Sequence, residues 1–135
     1  MYVRLSSSMS DVSNQVTIIV DQPLINPGDH YNQHDGIYVS PFSGKITLYW
    51  TIGTDESAKT ELMVEDRIIA TLIASASSVS TSSNYRSSST TTKQSSSSTV
   101  AVADEQKRNH MFLRTASDDN HILGSVSSVL IKPLY

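Results

Sequence analysis

The sequence predicts an all-β domain of the sandwich or jelly-roll class, and three observations carry that reading. Short runs rich in β-branched and aromatic residues alternate with turn clusters along all 135 residues. One run, residues 45–52, alternates strictly between apolar and polar side chains. No stretch sustains a helical period with capping residues at its ends.

Taken in order, residues 1–14 are polar, Ser-rich and aperiodic, and read as a flexible N-terminal arm or a vector-derived lead. The domain then occupies 15–135. Its first strand signal is Val16, Thr17, Ile18, Ile19 and Val20, β-branched throughout. Pro23, Asn26, Pro27, Gly28 and Asp29 mark turns. Gly36 to Ser40 is a short strand, closed by a turn with Pro41 early and Gly44 last. In the run that follows, Ile46, Leu48, Trp50 and Ile52 share one face, while Lys45, Thr47, Tyr49 and Thr51 share the other.

Residues 60–64 and 67–73 flank Glu65 and Asp66 as a hairpin. The Ile68-Ile69 doubling signals a bulge or a strand buried on both faces. Residues 75–93 form a Ser/Thr-rich loop, expected to be flexible at first and ordered from about Lys93 onward. Three more strand signals follow, at 99–103, 110–115 and 127–131. About eight strands in all imply two packed sheets.

Composition excludes several functions. There is no cysteine, so disulfides, thiolate metal sites and cysteine nucleophiles are all ruled out. Net charge is −3 with no basic cluster, which argues against nucleic acid as a partner. The apolar runs are too short for a transmembrane segment, and the chain opens without the apolar core of a signal peptide. No Gly-x-Ser-x-Gly elbow or Gly-rich phosphate loop accompanies the many serines, so catalysis is not expected.

The segment Asn26-Pro27-Gly28-Asp29-His30-Tyr31-Asn32, with Asp35-Gly36-Ile37-Tyr38-Val39-Ser40-Pro41 and Gly44 after it, resembles the signature of C1q-like globular domains. Phe112-Leu113-Arg114-Thr115 is similar to the penultimate strand of that family. Gly124 with Ser127-Ser128 is similar to the approach to its last strand. Among such proteins the arrangement looks most like the C1q-domain proteins of bivalve molluscs. Tyr31, Asn32, Gly36, Pro41, Gly44, Trp50, Phe112 and Gly124 are the signature and core positions. The family's Gly-Asp before the penultimate strand is replaced here by Arg108-Asn109, and its closing Phe-Ser-Gly by Val129-Leu130-Ile131.

The resemblance implies a ten-strand jelly roll of the C1q and tumour-necrosis-factor type that assembles as a homotrimer. It further implies a secreted, non-catalytic recognition module in innate immunity, lectin-like in the broad sense, whose partner is a glycan or microbial surface. A trimeric matrix or biomineral protein and a tumour-necrosis-factor-like receptor ligand are the alternatives.

Individual sites follow from side-chain chemistry. Asn84, Tyr85 and Arg86 are the bulky interruption of the Ser/Thr tract. An aromatic ring beside a guanidinium suits a sugar or an acidic glycan, though Tyr85 pinning the loop explains them equally well. Asp118, Asp119 and Asp55, with Glu56 and Asn120 beside them, are candidate calcium ligands, with solvated turns as the commoner outcome for such acids. His30, His34 and Asp35 lie close in sequence, but a four-residue spacing aligns two histidines only on a helix. Trp50 belongs to the core row. Tyr49 on the opposite face suits a surface or subunit contact, and Arg114 an ion pair at an edge or interface.

Overall fold

The computed structural model describes residues 1–76, 78–80, 90–92 and 95–133. Its strands are β1 (Tyr2–Arg4), β2 (Met9–Val12), β3 (Gln22–Ile25), β4 (Tyr31–Asn32), β5 (Ile37–Val39), β6 (Gly44–Thr54) and β7 (Ser57–Val64). Seven more follow: β8 (Arg67–Ser75), β9 (Ser78–Ser80), β10 (Thr90–Thr92), β11 (Ser95–Glu105), β12 (His110–Thr115), β13 (Asn120–Ile122) and β14 (Ser128–Pro133). Ten of them form two five-stranded sheets, in the orders β11-β6-β14-β1-β3 and β4-β5-β12-β7-β8. All their pairings are antiparallel. The remaining four make two small ribbons, β10-β9 and β13-β2.

The two sheets stack because each presents one apolar face to the other. In β6 the inward set is Ile46, Leu48, Trp50 and Ile52, all fully buried as the alternation predicts. Leu62 and Val64 from β7, Met111 and Leu113 from β12, and Val129 and Ile131 from β14 meet them in one core. Trp50 Nε1 donates to Thr60 Oγ1 at 3.2 Å, so the largest core side chain also joins one sheet to the other.

The chain start is not an arm. β1 lies inside the first sheet between β14 and β3, and Val3 is fully buried. Val3 and Leu5 point into the core, which ties residues 2–5 down despite the serines that follow. β2 pairs with β13, so 9–12 is ordered as well. Conversely, residues 16–20 are not a full strand. β5 already pairs with the first half of β12, at Val39↔His110 and Tyr38↔Met111. Only one bridge, Thr17↔Arg114, forms along the second half. Ile18 and Val20 are nonetheless buried, and Val20 is held by the Tyr31 hydroxyl, which donates to its carbonyl at 2.7 Å.

Residues 22–25, read as turn sequence around Pro23, form an edge strand, where a missing N–H is tolerated. The Ile68-Ile69 doubling is a bulge. Leu62 pairs with Ala70 and Met63 with Ile68, leaving Ile69 as the extra residue. Ile68 is exposed, so burial on both faces is ruled out. Within 75–93, Ser78–Ser80 and Thr90–Thr92 pair as a ribbon, so the tract carries regular structure before Lys93.

The signature glycines have structural reasons. Gly36 sits at φ +75°, with the Ile18 carbonyl 3.0 Å from where a Cβ would stand. Gly124 passes so close to the Ser7 backbone that a Cβ would lie 2.7 Å from it.

Candidate functional site

The outward face of the first sheet is the most distinctive surface of the molecule. Because side chains alternate along each strand, the inward burial of Trp50, Val129 and Val3 fixes their neighbours on the outside. Strand register then aligns three of those neighbours with Val100 and Ile25: Val100 opposite Tyr49, Tyr49 opposite Leu130, Leu130 opposite Tyr2, and Tyr2 opposite Ile25. The row crosses the whole sheet. Val100 is 54% exposed, Tyr49 44% and Ile25 59%, and Val102 extends the band along β11 at 57%.

On one flank the outward residues are Ser98, Thr51, Ser128, Arg4 and Gln22, again in register. Thr51 and Ser98 share a hydroxyl hydrogen bond of 2.7 Å. On the other flank stand Thr47 and Lys132, then Lys45 opposite Asp104. An apolar stripe between polar borders is the usual anatomy of a contact surface.

The outward face of the second sheet differs. Glu61 and Arg114 lie directly opposite one another in register and form an ion pair there. Lys59 stands beside Ile73, and Glu61 beside Thr71. The ion pair stands beside an apolar row, with Phe112 opposite Met63 and Met63 opposite Ile68, so this face is mixed.

At one end of the sandwich, the β6–β7 turn and the two small-ribbon strands come together around His121. Its Nε2 lies 3.1 Å from Glu56 Oε2 and 3.4 Å from Asp11 Oδ1, and its Nδ1 lies 3.6 Å from Asp55 Oδ1. Three chain segments therefore meet at one imidazole. Asn120, fully buried next to it, donates to the Val12 carbonyl and accepts from the Lys59 N–H, fastening the same segments through the backbone.

Neither a protein-family model nor a curated protein sequence matches the chain. Solved structures do. The globular domain of zebrafish complement 1qA protein superposes with a TM-score of 0.70 at 10% identity, covering 99% of this chain and 95% of that one. The chain has the C1q/TNF-like jelly-roll fold. Two other structures of this fold match along nearly their whole length. Eiger TNF from S. frugiperda has a TM-score of 0.66 at 14% identity, covering 100% of this chain and 92% of that one. Murine APRIL has a TM-score of 0.66 at 10% identity, covering 98% and 96%. The ten strands that the sequence resemblance implied are the two five-stranded sheets of this jelly roll.

Within the C1q/TNF-like frame the sequence-predicted residues fall as follows. Asn84, Tyr85 and Arg86 lie outside the described residues. Asp55 faces His121. Asp118 accepts the Asn14 N–H at 3.0 Å, and Asp119 occupies a left-handed turn position at φ +57°. Among the described residues, no group of three or more such side chains is arranged to hold a metal ion. His34 and Asp29 line a shallow open cleft with Asn26 and Asn32, whose side chains are spent on local turns.

Tyr31 is buried, and burial pushes its hydroxyl up to about 12. Phe112 and Pro41 are half-buried. Tyr49 is exposed on the sheet face, and Arg114 is ion-paired, though within the second sheet between β5 and β7 rather than at an edge or interface. Sequence reasoning missed Tyr2, Leu130 and Ile25 as partners of Tyr49, and missed His121. For the first group the outward alternation around Val3 and Val129 was the available signal. For His121, a lone histidine in a polar loop, there was none.

Proposed function

We propose that this chain is a non-catalytic, extracellular recognition module that works as a homotrimer and engages glycan or microbial surfaces. The observation that carries the assembly is the apolar row Val100–Tyr49–Leu130–Tyr2–Ile25 on the outside of the first sheet. Left in water, such a band costs hydrophobic free energy at about 25 cal/mol per Å² of apolar surface. A closed three-fold ring covers it, since in a ring each copy sets one patch against a different patch of the next. The edge strand β8 of the second sheet, with Ile68 and Ile73 exposed, supplies the second patch.

Three identical copies also give three identical loop ends facing one way. Weak sites repeated in this geometry gain avidity on a multivalent surface, which favours repeated glycans over a single soluble ligand. The recognising residues then belong to the loops, because the sheets are occupied by core and contact. Among the described residues no helix is long and apolar enough to cross a membrane.

A glycan and lipopolysaccharide array, probed with protein of known oligomeric state, tests this reading. Binding that is strong for the trimer and lost in a monomeric variant supports it. Saturable binding to one protein receptor with no array signal replaces it with a receptor ligand, and binding to matrix or mineral alone replaces it with a structural node.

A further inference from the structure

Glu105 ends β11 opposite Gly44, and its surroundings are at odds with its charge. The residue is 2% exposed, and neither carboxylate oxygen has a hydrogen-bond partner. Among the described residues no cation stands within ion-pair distance of it. The nearby Ser40 hydroxyl is turned to the Phe42 carbonyl at 2.6 Å. From β5, Tyr38 is the titratable group that bears on Glu105, and it too is buried. The charged groups on the adjoining elements, Lys45 on β6, Asp104 on β11, and Lys107 and Arg108 beyond it, are all exposed.

The backbone around Glu105 forms a clasp. Residues 40–43, which lead from β5 into β6, are bonded to residues 106–109, which lead from β11 into β12. Ser40 N–H donates to the Asn109 carbonyl at 2.9 Å, Arg108 N–H to the Ser40 carbonyl at 2.8 Å, and Lys107 N–H to Ser43 Oγ at 2.9 Å. An ionised carboxylate sealed under these bonds has lost its water and gained nothing in return.

We propose that Glu105 is a proton-operated latch, which holds the 40–43 turn closed over the end of β11 when neutral and loosens that clasp when ionised. Burial pushes its carboxyl above the usual glutamate range. The folded state therefore binds the proton more tightly than the unfolded chain does. The stabilising contribution is full below the ordinary glutamate range and is lost as pH climbs from there through the raised folded value.

Thermal melts of the full chain and of Glu105→Gln, run from about pH 4 to pH 8, test the latch. Gln keeps the shape and removes the charge, so the two proteins should melt together at the acid end. The variant should melt several degrees higher at the alkaline end, with slower amide exchange at Ser40 and Arg108. A difference that stays flat across pH would overturn the proposal. If the variant does not fold, carboxyl NMR of the wild-type chain decides instead: a Glu105 midpoint near the ordinary value of about 4.3 overturns the latch, and a clearly higher one supports it.

Discussion

Trp50 and Thr60 join the two sheets by one buried hydrogen bond, from the indole Nε1 to the threonine Oγ1 at 3.2 Å. Trp50 comes from the strand at the centre of the alternating pattern, and Thr60 from the facing sheet. Replacing Trp50 with Phe removes the donor and part of the volume, and should cost about 1–3 kcal/mol. Replacing it with Ala also leaves a cavity and should cost about 3–5 kcal/mol. Urea unfolding measures both. The chain has a single tryptophan, so its emission reports burial directly, blue-shifted when folded and red-shifted on unfolding.

Two tyrosines should titrate late. Burial pushes both Tyr31 and Tyr38 up to about 12, and Tyr38 feels the Glu105 carboxylate as well. Their neutral forms are favoured in the folded state, so the stability they lend is present below the ordinary phenol range. It is lost as pH rises from about 10 through the folded values. An ultraviolet absorbance titration should show two phenols ionising near 12 or together with unfolding. Tyr31→Phe should lose the clasp on Val20, and with it some stability at neutral pH.

The Glu61–Arg114 pair should behave as a buried acid with a half-exposed partner. Glu61 is nearly covered, while Arg114 keeps part of its surface in water. Arg114→Ala strands a carboxylate and should destabilise by about 1–3 kcal/mol. Adding Glu61→Gln to that variant should restore part of the loss, because the stranded charge is gone. A double-mutant cycle in urea gives the coupling.

Much of this fold was legible because period-two alternation is a local signal. Ile46, Leu48, Trp50 and Ile52 could be assigned to one face from their spacing alone, and the Ile68-Ile69 doubling pointed to the bulge. β1 was not legible, because three residues that depend on two distant strands for pairing are followed, after Leu5, by a run of serines. The run 16–20 misled for the opposite reason. Its β-branched residues favour a strand, but β5 already holds half of the partner edge. The contact face was half legible. Tyr49 stood out by alternation, whereas Tyr2 and Ile25 join it only through register between segments far apart in the chain. His121 became visible only when the fold brought Asp11, Asp55 and Glu56 around it.

Light scattering on the intact chain and on Tyr49→Arg is the most direct test of the assembly. Tyr49 is already partly in water within one chain, so a charge there should leave the fold intact while disrupting the apolar row between copies. Wild-type protein should show three times the chain mass and the variant one, with matching circular dichroism. A wild-type protein that runs as a monodisperse monomer would contradict the account.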